Sequence, residues 1–317
     1  MQLNAITRKS ALPAILLLVV ILIATALRSH YTPFATELAD CQYSARSITL
    51  IEAMLLLLFG GIIEGKILPR SGLSKGYCTL PIPIFGVLAC GVFVAPHILA
   101  SATASLCFAL ALFLLLRSLH NAGEKDSVFF AAILLGAMVL LFPPSVVMVG
   151  IIPLSFFVLS LSLRQLLLMI VGYLLPLFGA SYIMWYRGDE MLDLSRNIVE
   201  HLTTPQMAEL TTTPYVVIAM TAVVAVVLIW GLVYALIRPD KMFSLARVRH
   251  ALYLFILVFC LSLLMLLFPS CNLSVLAIMA VPTTILLSVV LSLLPNNPST
   301  IAYWVLLALF VLHLFVE

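Results

Sequence analysis

The chain has 317 residues, 64% of them hydrophobic and 9% charged, with a mean hydropathy of +1.22 and a formal net charge of +3. Soluble domains are about 45–50% apolar, so a single water-facing globule is excluded. Sixteen basic residues set against 13 acidic ones leave no dense basic surface for nucleic acid.

The remaining class is a polytopic helical membrane protein. Runs of about 20 apolar residues cover ~30 Å of hydrocarbon, and only helices or closed barrels satisfy the backbone there. The weak ten-residue alternation of an outer-membrane barrel is absent. In chain order the sequence predicts about eleven spans, at 11–27, 47–63, 80–97, 100–116, 128–142, 145–163, 165–186, 214–237, 251–268, 272–294 and 300–316. The first begins "TRKSALPAILL" and ends at Ala24-Thr25-Ala26, a pattern shared with cleaved signal peptides. An uncleaved span is preferred because the rest of the chain is itself membrane-embedded. "FPPS" at 142–145 divides 128–163 into two helices, since Pro143 and Pro144 remove two donors. "FPSCN" at 268–272 makes a second short turn. Pro153, Pro176 and Pro282 fall inside spans, where each frees a carbonyl that needs a partner or a water-lined cavity.

Orientation comes from Lys and Arg. With a cytoplasmic N-terminus, twelve of the 16 lie inside and four, Arg28, Arg46, Arg187 and Arg196, lie outside. The fold class is therefore an all-α transmembrane bundle forming one integral domain over 1–317 in the inner membrane. Its outer loops are 28–46 and 187–213, and its cytoplasmic loops are 64–79, 117–127 and 238–250. The stretch "IRPDKMFSLARVRH" reads as an orientation anchor on lipid head groups.

Three polar features carry the candidate chemistry. In the first outer loop Glu37 and Asp40 are three apart, which puts both on one face of a helix. Paired carboxylates act as a general base or hold a divalent metal, and an ordinary solvated loop has the same composition. Glu52 lies inside the second span, where a charge is costly. It either pairs outward with Arg46 or serves a function. The acidic window 187–213 predicts an amphipathic helix from Met191 to Leu202 on the outer surface, packed over the bundle as a lid or facing a cationic partner. Cys41 and Cys271 both lie outside and are within the same compartment for pairing. No Walker loop, HExxH, GxSxG or dinucleotide fingerprint is present, no metal site is assembled, and the cofactor, if any, is unknown.

The segment "DSVFFAAILLGAMVLLFPPSVVMVGIIPLSFFVLSLSLRQLLLMIVGYLLPLFGASYIMWY" (126–186) resembles a family of polytopic inner-membrane proteins of Bacteroidota, some of which carry the label beta-carotene monooxygenase. The label implies histidine-ligated iron on a propeller of strands, and this sequence supplies neither. More distantly, the layout is similar to the membrane half of GT-C glycosyltransferases, which use polyprenyl-phosphate sugars. That likeness implies Asp40, with Glu37, as the carboxylates that activate an acceptor, and Arg187 or Arg196 as ligands of the lipid phosphate. Here the acids are three apart rather than adjacent, and no soluble outer domain is evident. An accessory, non-catalytic role in cell-envelope biogenesis therefore ranks first, with other inner-membrane proteins or the bilayer as partners. Glycosyl transfer and lipid or small-molecule transport are the alternatives.

Overall fold

The computed structural model describes residues 11–31, 43–70, 73, 79–89, 98–120, 125–188, 190, 192–203, 215–237, 245–267, 272–294 and 296–316. Among them every regular element is helical. The helices are α1 (Leu12–Tyr31), α2 (Tyr43–Arg70), α3 (Pro81–Ala89), α4 (Ile98–His120), α5 (Lys125–Leu141), α6 (Ile151–Leu159), α7 (Leu163–Tyr186), α8 (Asp193–Thr203), α9 (Tyr215–Ile237), α10 (Leu245–Leu267), α11 (Asn272–Leu293) and α12 (Asn296–Val316). A 3-10 segment, Pro143–Gly150, leads into α6. Three stretches of the described residues are long and apolar enough to cross a membrane: Leu99–Arg117, Leu163–Tyr186 and Asn297–Phe315.

Close packing runs α2 to α4 to α5 to α7, and α8 rests on the 3-10 segment and on α7. Behind this row α11 touches α2, α3, α4, α9 and α10. The short α3 is enclosed by α1, α2 and α11, and eight of its nine residues are buried. The sequence predicts a span over 80–97 here; the helix itself covers Pro81–Ala89, and 90–97 lie outside the described residues.

Glycine sets the closest approaches, because helices can approach nearly to backbone contact only where a side chain is missing. At the α5–α7 seam, a Cβ on Gly136 would overlap the Tyr173 carbonyl and lie 2.7 Å from the Pro176 ring. A Cβ on Gly172 would lie 2.8 Å from the Phe129 carbonyl oxygen. Pro176 sits inside α7 and Pro282 inside α11, as the sequence predicts. Pro153 instead lies three residues past the junction of the 3-10 segment with α6.

The double proline also acts differently from a plain tight turn. Phe142 is extended, and Pro143 then opens a 3-10 helix that passes into α6 without a break, since Gly150 keeps helical angles. Ser160, at φ 55°, ends α6. Ser162 and Gln165 then form a capping box that starts α7. The S-x-x-Q spacing at 162–165 is the sequence signal for that start.

Two hydrogen bonds between side chains and neighbouring helices are buried among the described residues. Ser105 Oγ donates to the Ala277 carbonyl at 2.9 Å, linking α4 to α11. Ser155 and Tyr253 share a buried hydroxyl–hydroxyl bond of 2.9 Å between α6 and α10. Replacing Tyr253 by Phe strands the Ser155 hydroxyl and is expected to cost about 1–2 kcal/mol. Adding Ser155→Ala should recover part of that loss, because both polar atoms are then gone. Melting of the four proteins in one detergent checks this, and strictly additive losses would mean the bond contributes nothing.

Candidate functional site

The acidic window folds as expected into a surface helix. Asp193 lies in the first turn of α8, where a carboxylate suits the positive end of the helix dipole. Its Oδ2 accepts the Glu190 N–H at 2.9 Å, and its own N–H donates to the Glu190 carbonyl at 3.1 Å. Leu194 and Ile198 are half-buried on the side turned to the bundle, and Ile198 packs against the main core. Leu192, Val199 and Glu200 are exposed. The helix lies on the turn between α5 and α6, the place of a cover over that end of the bundle.

Arg196 is paired with the acids of its own window. Its Nη1 donates to Glu190 Oε2 at 2.7 Å and to Asp193 Oδ1 at 3.5 Å. The side chains are 65% and 69% exposed in the tighter pair, so it adds little stability. Its effect is on charge: the guanidinium is already matched by two carboxylates. Arg187 is the first residue past α7, and its side chain is exposed and makes no hydrogen bond or ion pair among the described residues. Gly188, at φ 103°, turns the chain away there. Val171, Leu174, Leu175, Phe178, Gly179 and Tyr182 form an open, mostly apolar face of α7. Tyr182 and Trp185, with ring centroids 5.8 Å apart, lie toward its Arg187 end.

Glu52 is exposed on α2 and has no polar partner among the described residues. Its helix reaches α8 in the main packing row only by way of α4, α5 and α7. Glu37, Asp40, Cys41 and Cys271 lie outside the described residues, as does the side chain of Arg46. No three His, Cys, Asp or Glu side chains come together in a metal-binding group among the described residues.

One site residue is absent from the sequence expectations. Glu64, which the sequence puts at the start of a cytoplasmic loop, belongs to α2, and that helix continues to Arg70. It is fully buried, and neither carboxyl oxygen has a hydrogen-bond partner. The signal is the stripe Leu57, Gly60, Gly61, Glu64, Ile67 and Leu68, whose helical spacing runs on past the charges.

Together these features define an all-helical bundle among the described residues, with membrane-length apolar helices, an enclosed helix α3 and an acidic amphipathic helix on one end. The chain belongs to the family described as a family of unknown function, DUF6427, which matches residues 8–317. No curated protein and no solved structure matches it.

Proposed function

We propose that this chain is a multi-pass inner-membrane protein with about eleven spans and a cytoplasmic N-terminus, acting as a non-catalytic accessory component of cell-envelope biogenesis. It would do so by lateral contact through α7. The observation that carries this reading is the exposure of α7. Only 17% of the apolar window of α7 is buried, against 28% for Asn297–Phe315 of α12 and 56% for Leu99–Arg117 of α4. Exposed Leu163, Leu167, Leu174 and Phe178 run along α7. An exposed apolar flank of this length suits lipid or another membrane helix. The envelope assignment rests on the GT-C-like layout, and the positive-inside distribution supports the threading.

A glycosyl transferase is the second reading, favoured by the exposed Arg187 just past the apolar face of α7. In that reading Asp40 and Glu37 would activate the acceptor and Arg187 would hold a polyprenyl phosphate.

Three measurements test the proposal. A reporter fused after Asn197 is expected to be active only on the outer side, and a cytosolic signal would overturn the threading. A photo-crosslinker at Phe178 is expected to give an adduct with one defined membrane protein or with lipid. Transfer of sugar from a polyprenyl-phosphate donor by the purified chain, lost in Asp40→Asn, would replace the accessory reading with the enzymatic one.

A further inference from the structure

Glu64 lies in the second-last turn of α2. That turn abuts α3: a Cβ on Gly61 would lie 3.7 Å from the Ile82 carbonyl oxygen, and one on Gly65 would lie 2.8 Å from Ile82 Cγ1. The start of α3 offers the carboxyl no donor. Pro81 and Pro83 carry no N–H. The N–H of Ile82 goes to the Thr79 carbonyl at 3.3 Å, and that of Ile84 goes to Leu80 at 3.5 Å.

Counter-charges are also missing among the described residues. α3 and α11 contain no ionisable side chain. α1 carries Arg28, His30 and Tyr31 at the end joined to the start of α2, about 30 Å of helix away from Glu64. α4 carries Cys107, which is half-buried, and Arg117 and His120 near its end. On α2 itself Lys66 is exposed, and Arg70 closes the helix. None of the described side chains bonds to Glu64. Thr284 of α11, a helix packed on α2, α3 and α4, is a second buried group whose hydroxyl has no partner.

A structural carboxylate inside a protein is met by donors or a cation, because an unmatched buried charge costs several kcal/mol. A carboxylate enclosed in a helical bundle without such partners is a candidate ion site. That enclosure lies at the junction of α2 and α3. We propose that Glu64 is a binding site for one small monovalent cation, a proton or an alkali ion, held inside the bundle beside the start of α3. This inference is independent of the accessory reading and of the outer-face residues.

The test uses the full chain in lipid vesicles and the apolar reagent dicyclohexylcarbodiimide. A protonated carboxyl adds across the C=N bond. Its oxygen bonds to the central carbon, its proton passes to nitrogen, and the acyl group then migrates to nitrogen as a stable N-acylurea with nothing expelled. Peptide mass mapping is expected to place the adduct on Glu64 and to find none there in Glu64→Gln. Glu64→Asp, which keeps the acid, is expected to retain it, and melting shows that each variant is folded. Raising the pH by about two units should slow labelling at least roughly tenfold. If an alkali ion is the occupant, Na⁺ at fixed pH also slows labelling and choline does not. If the occupant is the proton, pH alone does so. A Glu64 that stays unlabelled in the folded chain at every pH and Na⁺ level, yet reacts after denaturation, would overturn the proposal. So would labelling that is indifferent to both pH and Na⁺.

Discussion

Gly136→Ala is expected to lose about 3 kcal/mol or more of stability, from a single added methyl. The obstacle decides the size. The new Cβ meets the Tyr173 carbonyl and the Pro176 ring, and neither can rotate away as a side chain tip would. Relief requires α5 and α7 to move apart along their whole seam, which also separates Gly172 from Phe129. Gly179→Ala, on the partner helix α7, is the control, since nothing lies within 4 Å of its would-be Cβ. It should be neutral or gain up to about 1 kcal/mol from helix propensity. Resistance to unfolding in mixed detergent reads both, and equal behaviour of the two variants would remove the tight seam from the account.

The second large effect lies at the crossing of α9 and α11. A Cβ on Gly231 would overlap the Val290 side chain, with Val290 Cγ2 at 2.6 Å and Cβ at 2.9 Å. Gly231→Ala is expected to destabilise by about 1–3 kcal/mol. Here the two nearest atoms are methyls, so Val290→Ala in the same protein should restore part of the loss, the Cβ at 2.9 Å remaining. A double-mutant cycle therefore has opposite outcomes at the two crossings: strong coupling for Gly231 with Val290, and no side-chain rescue for Gly136. Additive losses from Gly231→Ala and Val290→Ala would refute the contact.

The helical class and the surface helix are legible in the sequence because both rest on pattern. Long apolar runs have no other stable form in lipid, and Asp193–Thr203 alternates apolar and acidic residues with helical period. Pro143 and Pro144 mark the end of α5 but leave the conformation after it open. Once a residue is extended and two donors are gone, a turn and a 3-10 start have the same local chemistry. Glu64 escapes a sequence reading for a related reason. "EGK" after an apolar run scores as a loop by hydropathy, which asks what water or lipid would accept. α2 is covered there by other helices, so the helix extends past the charge and buries it. Ion pairing is equally hidden: Arg196 looks like a phosphate ligand in the sequence, and only the fold brings Glu190 and Asp193 onto it. For Glu37 and Asp40, outside the described residues, the three-residue spacing is the whole argument.

The enclosure of α3 has a consequence for biosynthesis. Its neighbours α1 and α2 leave the ribosome before it, but α11 begins at Asn272, about 180 residues after Ala89. At roughly 5–20 residues per second, translation leaves α3 uncovered on one side for about ten to forty seconds. The nascent N-terminal third must therefore wait for the C-terminal third to close over it. Ribosomes stalled before residue 272 would strand it half-built, an easy mark for membrane proteases.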